Sequence, residues 1–201
     1  MHLSANERGY GDTMKPHIRD AITQASIEKR RHMVLPGGIH LKGVHNTSRL
    51  SQGQLVTITE QVTQEIDFFE KNFLVCPTVN DIDKDVRFAT EIARLYNCGL
   101  NTTIAGHDPN VWQVILAISC NTTWTSIDAL LRQCPEFIRE STIVLSIFDR
   151  TKGVRPRHLA PLQYFYFAKS PLETYAAIDC PHPQCNPEAV HEKSPLCPCP
   201  V

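Results

Sequence analysis

The spacing of the apolar residues constrains the fold of this chain most, because it follows a helical period wherever a period is readable. A capping-box pattern at Thr57 and Glu60 opens the clearest helix. Its apolar residues recur at steps of three or four: Ile58, Val62, Ile66, Phe69 and Phe73. A second helix follows Asn80, with Gly99 as the residue after its end. Its apolar face is Ile82, Val86, Ala89, Ile92 and Leu95.

Three further segments show the same helical signals. Residues 16–32 follow Lys15-Pro16, and proline suits a first helical turn. Asp108-Pro109 predicts an N-cap and first turn for a helix along residues 111–118. Thr125 or Ser126 caps a short helix that Pro135 closes. The sequence therefore predicts four or five helices.

Two short apolar runs, residues 143–148 and 164–167, read equally well as buried strand or helix. Two such runs are too few to build a sheet, so we expect an all-α (mainly α) multi-helix bundle. A chain of 201 residues with 42% hydrophobic residues forms one domain, which we place at residues 1–178. Seven prolines crowd the last thirty-one residues, six of them after residue 178, and residues 179–201 are expected to be an irregular Pro/Cys-rich tail.

The whole-chain composition excludes several classes of protein. No apolar run approaches the roughly 18 residues needed to span a bilayer, so we expect a soluble protein. A net charge of −1 disfavours nonspecific nucleic-acid binding. The first thirty residues hold four acidic residues and no apolar leader, which favours the cytoplasm or nucleus. Three Asn-x-Ser/Thr sequons would be acceptors for glycosylation if the protein were secreted after loss of a signal peptide.

The cysteine-rich tail is the first candidate site. Its potential ligands are Cys180, Cys185, Cys197 and Cys199, with His182 and His191 nearby. Zinc requires four such ligands in a tetrahedron, and the Cys180/Cys185 spacing fits a ligand pair, whereas Cys197/Cys199 is tight. The alternatives are an unstructured tail with idle thiols, or disulfides in an oxidising compartment.

Other cysteines suggest further chemistry. Five of the eight precede proline, a motif in which a thiolate can bind haem iron, but proline is also expected where helices end. Cys76, Cys98 or Cys120 would serve as a nucleophile if a histidine lay beside it.

Histidines and aspartates form the second candidate site. The set is His45, the pair His107-Asp108, and Asp149, with Asp128 as a substitute for Asp149. It is similar to the His…His-Asp…Asp pattern of the HD metallophosphohydrolases. That resemblance implies a helical, metal-dependent hydrolase in which these residues hold one or two divalent metals.

Two basic groups, residues 29–32 and residues 152–158, read as solvated faces or as a phosphate-binding surface. An acidic region at residues 60–91 could bind such a basic surface on another copy of the chain.

Our first hypothesis is a soluble helical binding or regulatory protein whose tail holds zinc or a protein partner. The alternative is the HD-like metal-dependent hydrolase.

Overall fold

The computed structural model describes residues 7–9, 14–35, 38–64, 66, 73–77, 82–100, 113–132, 142–151 and 155–181. The strands of this part are β1 Glu7–Gly9, β2 Ile27–Leu35, β3 Ile39–His45, β4 Phe73–Pro77, β5 Gly99–Leu100, β6 Gln113–Asn121, β7 Ile143–Asp149, β8 Gln163–Lys169 and β9 Thr174–Ala176. The α-helices are α1 Pro16–Ser26, α2 Gln52–Thr63, α3 Ile82–Tyr96 and α4 Thr125–Leu131. The chain is therefore α/β, and the expected all-α bundle is wrong.

A parallel sheet of six strands forms the centre of the molecule. Its order is β1-β8-β7-β6-β4-β5, and every pair of neighbours is parallel. All seven residues of β7 are buried, because apolar clusters pack on both faces of the sheet. Strands covered on both faces read as continuous apolar runs without alternation. This explains why residues 143–148 and 164–167, left undecided from sequence, are strands.

The helical predictions were correct in part. α3 matches the expected helix, although Asn97, rather than Gly99, takes the left-handed conformation after its end, with φ 52°. α2 begins earlier than expected, because Ser51 and Gln54 form the capping box instead of Thr57 and Glu60. Phe73, expected on the same helix, is instead the first residue of β4. The helix expected at 111–118 is wrong where the structure describes it, from residue 113 onward, because that segment is β6.

A small antiparallel sheet, β2-β3-β9, lies beside the carboxyl edge of the large one. The helix expected at residues 16–32 ends at Ser26, and the chain continues directly into β2. Arg150, which follows β7, joins the two sheets. Its guanidinium donates to the carbonyl oxygens of Gly43 in β3, at 3.2 Å, and of Glu173 before β9, at 2.8 Å.

The connections define one crevice. From β4 the chain passes through α3 to β5 on one side, whereas from β6 it passes through α4 to β7 on the other. Between β4 and β6 the direction of winding reverses, and ligands of open parallel sheets bind at the carboxyl ends of the strands at such a switch point. The end of β6 is therefore the candidate site. None of the described helices is long and apolar enough to cross a membrane.

Candidate functional site

The segment from the last residue of β6 to the first turn of α4, residues 121–126, lies at this switch point, and we call it the β6 loop. Its sequence, Asn-Thr-Thr-Trp-Thr-Ser, carries four hydroxyl side chains in six residues. Thr122 and Thr123 are partly exposed, and the hydroxyl oxygens of Thr123 and Thr125 are 3.0 Å apart. Serine and threonine hydroxyls donate hydrogen bonds to phosphate and sugar oxygens, so the loop offers a neutral surface for an anionic, oxygen-rich ligand.

Trp124 holds this loop in a strained shape. Its φ of 64° is left-handed, which is rare for a bulky residue. The side-chain oxygen of Asn121 accepts from the Trp124 amide at 3.3 Å. The buried indole packs edge-on against Tyr164, with ring centroids 4.7 Å apart, and lies under the Arg155 guanidinium at 4.9 Å. Strain of this kind persists where surrounding contacts enforce it, often at binding loops.

Buried polar contacts fix the end of β6 ahead of the loop. The Ser119 amide donates to the carboxylate of Asp85 in α3 at 2.6 Å, and the Ser119 and Thr47 hydroxyl oxygens are 3.4 Å apart. Arg87 donates to the Thr47 carbonyl at 3.2 Å. Asp85 is only 2% exposed, and its carboxylate holds β6 against α3.

Asp149 fixes the end of β7 in a similar way. Its carboxylate accepts from the amide and hydroxyl of Thr151, at 3.2 and 2.9 Å, and from the hydroxyl of Tyr164 at 3.1 Å. Burial, followed by the charge of Asp149, raises the pKa of Tyr164 well above its usual value, so this phenol stays protonated and donates. Asp149 is thus a structural anchor.

His45 is buried in a tight contact set. The Ser26 hydroxyl donates to the Thr23 carbonyl, so Nδ1 of His45 donates to Ser26, and Nε2 accepts from the Ser170 hydroxyl, both at 2.7 Å. The ring stacks on Phe148 at 3.9 Å. Burial, with a smaller effect of the Arg150 charge, lowers the pKa of His45 from 6.5 to about 3, so the ring is neutral.

The structure does not assemble the expected His…His-Asp…Asp metal set from the residues that it describes. His45 stacks on Phe148, whereas the neighbouring Asp149 contacts Tyr164 on the opposite face of the sheet, since successive strand residues alternate. Asp128 instead bonds Arg132 and His158 at the surface. His107 and Asp108 lie outside the described residues.

One member of the cysteine-rich tail site is described. Cys180 is buried and lies 3.2 Å from Nε2 of His32, which in turn is 3.3 Å from Nδ1 of His40. Cys185, Cys197, Cys199, His182 and His191 lie outside the described residues, so their part in a site stays a prediction. Sequence reasoning did not identify His32 and His40 as candidate ligands, because they become diagonal neighbours only through the register of β2 with β3.

The nucleophile hypothesis gains nothing from the described cysteines. Burial raises the pKa of Cys120 to about 11, despite the opposing effect of Arg150, and burial also raises the pKa of Cys98. A thiol with a raised pKa is a poor nucleophile near neutral pH. The side chain of Cys76 lies outside the described part of the chain.

A cleft of about 380 Å³ opens two strands away from the β6 loop, between α1 and the carboxyl half of β8. Arg19, Gln24, Thr23 and Lys169 line it, together with Tyr166. β8 and β6 are separated only by β7, so the cleft lies roughly 10 Å along the same edge of the sheet. The switch point remains the primary candidate, because the topology itself opens it.

Comparisons with known proteins give a fold and no sequence family. No family model and no curated protein matches the chain. Among solved structures, the chain is similar to orotate phosphoribosyltransferase from Aeropyrum pernix, with a TM-score of 0.57 and 17% identity over 76% of this chain and 93% of that one. It is also similar to Leishmania donovani UMP synthase, with a TM-score of 0.53 and 11% identity over 76% of this chain and 36% of that one.

These similarities overturn both functional hypotheses drawn from the sequence. A helical regulatory protein and an HD-like helical hydrolase each require an all-α scaffold, whereas the chain shares the α/β fold of a phosphoribosyltransferase. The identities are low, so the likeness establishes the fold alone. The chain spans about a third of the UMP synthase.

Proposed function

We propose that this protein binds a 5-phosphoribosyl ligand at the β6 loop and transfers the phosphoribosyl group to a nitrogen of a base-like acceptor. The observation that carries the proposal is the position of a hydroxyl-rich, strained loop at the switch point of a parallel sheet. The fold that holds this loop covers 93% of an orotate phosphoribosyltransferase.

The β6 loop has the chemistry that a phosphoribosyl ligand requires. Thr122 and Thr123 are partly exposed and lie next to a rigid base formed by Ser119 and Asp85. Hydroxyl donors suit both the phosphate oxygens and the ribose hydroxyls, because each hydroxyl donates and accepts. The indole of Trp124 is buried behind the loop, so these donors are held in place before a ligand arrives, which lowers the entropic cost of binding.

The acceptor is assigned to the cleft beside β8. Its volume of about 380 Å³ accommodates a single heterocycle. Arg19 and Lys169 outnumber Asp20, which also lines the cleft and lies 3.5 Å from Arg19, so the lining favours an anionic heterocycle. In the transfer, the bond from C1 of the ribose to the leaving diphosphate breaks, and the electron pair departs with the diphosphate. The acceptor nitrogen forms the new bond to C1 and loses its proton to solvent. Neutral His45, with both ring nitrogens engaged, takes no part in that proton transfer.

The described carboxylates at the carboxyl edge of the large sheet do not form a binding site for a magnesium ion. Mg²⁺ in phosphate-binding sites is usually held by one or two carboxylates together with the phosphates. Asp85 and Asp149, the carboxylates placed here, are buried and bonded to backbone amides. We therefore derive no step of the reaction through a protein-bound magnesium ion.

The test is calorimetric titration of the full chain with 5-phosphoribosyl diphosphate. The substitution Thr123→Val removes a hydroxyl donor to a charged ligand, worth about 1.5 kcal/mol or more, so we expect the affinity to fall about tenfold or further. Thr57→Val is the matched control, because Thr57 is a partly exposed threonine of α2, away from the β6 loop. It should leave the affinity unchanged.

Turnover is measured in the same preparation. The chain is incubated with 5-phosphoribosyl diphosphate and a panel of pyrimidine and purine bases, and diphosphate release and nucleotide formation are followed by chromatography. Nucleotide formation that Thr123→Val reduces supports the proposal. Binding that is equally strong in Thr123→Val, or binding without nucleotide formation from any base, contradicts it.

A further inference from the structure

A second site lies on the small sheet, away from the β6 loop. His32 in β2 and His40 in β3 are diagonal neighbours on one face of the hairpin, because His40 pairs with Val34, two residues beyond His32. Strand β9 pairs with β3, and Cys180, in the segment that follows β9, lies next to His32. Pairing along the sheet thus gathers three side chains separated by up to 148 residues in sequence.

The two distances from His32 to the other donor atoms are close to the edges of a zinc tetrahedron. With Zn–N bonds of about 2.05 Å and Zn–S bonds of about 2.3 Å, tetrahedral geometry places two nitrogens about 3.3 Å apart and a nitrogen and a sulfur about 3.5 Å apart. The observed values are 3.3 Å between His32 Nε2 and His40 Nδ1, and 3.2 Å between His32 Nε2 and Cys180 Sγ. All three donor atoms lie within 4.8 Å of one another.

Burial also favours a metal over three independent polar side chains. Cys180 is 1% exposed and His40 is 7% exposed, and His32 is partly buried. Without a cation, the two imidazole nitrogens and the thiol, which face one another, could satisfy their lone pairs only with the few protons that these groups carry. A cation accepts a lone pair from each of the three atoms at once. Thiolate and imidazole are the donors that zinc prefers in proteins.

We propose that His32, His40 and Cys180 bind one Zn²⁺ ion, with a fourth position for a water molecule or a further donor. The ion would join the segment after β9 to the β2–β3 hairpin. Because metal binding to a site absent from the unfolded chain adds to folding free energy, the site would stabilise the small sheet. It does not depend on phosphoribosyl transfer, so failure of either proposal leaves the other intact.

The experiment is a titration of untagged, metal-free full-length protein with Co²⁺, followed by displacement with Zn²⁺. We expect one equivalent of Co²⁺ to give tetrahedral d–d bands and a thiolate-to-cobalt charge-transfer band, both removed by Zn²⁺. Cys180→Ser should abolish the charge-transfer band. His40→Ala should weaken Co²⁺ binding about tenfold or more, since even outer partners of metal ligands contribute that much.

Matched controls keep the result specific. Cys98→Ser changes a half-buried cysteine away from the cluster and should leave the band intact. The triple variant Cys185→Ser, Cys197→Ser, Cys199→Ser tests the tail. Retention of the band in the triple variant and its loss in Cys180→Ser support the proposal, as does loss in both, which would add a tail cysteine as the fourth ligand. Absence of a thiolate band in the unmodified protein, or its survival in Cys180→Ser, overturns it.

Circular dichroism separates loss of ligand from loss of fold. If Cys180→Ser does not fold, His40→Ala and His32→Ala provide the same test on a different donor. Retention of full Co²⁺ affinity in both folded histidine variants contradicts the proposal.

Discussion

The buried histidine at the end of β3 makes the stability of this protein depend on pH in a specific way. His45 is neutral in the folded state because burial lowers its pKa from 6.5 to about 3. Its Nδ1 hydrogen is donated to Ser26, and its Nε2 lone pair accepts from Ser170. Protonation of Nε2 would break the second bond and place a charge beside Arg150. Replacement by glutamine, which does not titrate, removes this linkage.

The sign and magnitude of the effect of pH on stability follow from the pKa of His45 in the unfolded chain, 6.5, and in the folded chain, about 3. Above pH 6.5 the ring is neutral in both the folded and the unfolded chain, so the full stabilisation is present. As the pH falls from 6.5 toward 3, only the unfolded chain takes up the proton, and stability falls by up to about 1.4 kcal/mol per pH unit. At pH 4.5, two units below the unfolded value, the loss due to His45 is roughly 2–3 kcal/mol.

Urea denaturation at pH 7.5, 6.5, 5.5 and 4.5 measures this effect. The free energy of unfolding of the unmodified protein should fall more steeply below pH 6.5 than that of His45→Gln, and the two slopes should differ by close to one proton. His17→Gln, an exposed histidine of α1, is the control and should retain the steep slope. Equal slopes for the unmodified protein and His45→Gln would refute the assignment of a buried neutral imidazole.

Substitutions at three positions test how strands and helices are held in place, each by urea denaturation at pH 7.5. Arg150→Met removes two charged donors between the sheets and should cost about 3 kcal/mol; a loss below about 1 kcal/mol would contradict that role. Gly9→Ala places a Cβ 2.6 Å from the buried Tyr166 ring and should cost about 1–3 kcal/mol, whereas a neutral result would mean that β1 moves freely. Asp85→Ala leaves the Ser119 amide unpaired and should cost about 1–3 kcal/mol, whereas Asp85→Asn, which keeps an acceptor oxygen, should cost less.

The fold class was mispredicted because buried parallel strands do not show a strand period. In β6 the residues Val114, Ile115 and Ile118 fall at helical spacing by chance within a run in which almost every side chain is apolar and buried. Strands covered on both faces have no polar alternation to distinguish them from buried helix. Only the pairing of distant segments, such as β6 with β4 and β7, decides between the two.

The surface helices were more predictable, because one of their faces meets solvent. α3 was expected from its apolar spacing and lies where that spacing places it. The candidate sites were harder to predict, since each depends on long-range pairing. His32 and His40 meet Cys180 only through the register of the small sheet, and the β6 loop becomes a candidate only when the strand order is known. Hydroxyl residues in a loop give no distinctive sequence signal.

The most direct test of the central claim is a map of backbone amide chemical shifts on titration with ribose 5-phosphate. Binding at the switch point predicts saturable shifts that are largest at residues 121–126 and at the end of β6, and that weaken in Thr123→Val. Shifts confined to the cleft between α1 and β8, or no saturable shifts in the millimolar range, would contradict the assignment of the phosphoribosyl site to the β6 loop.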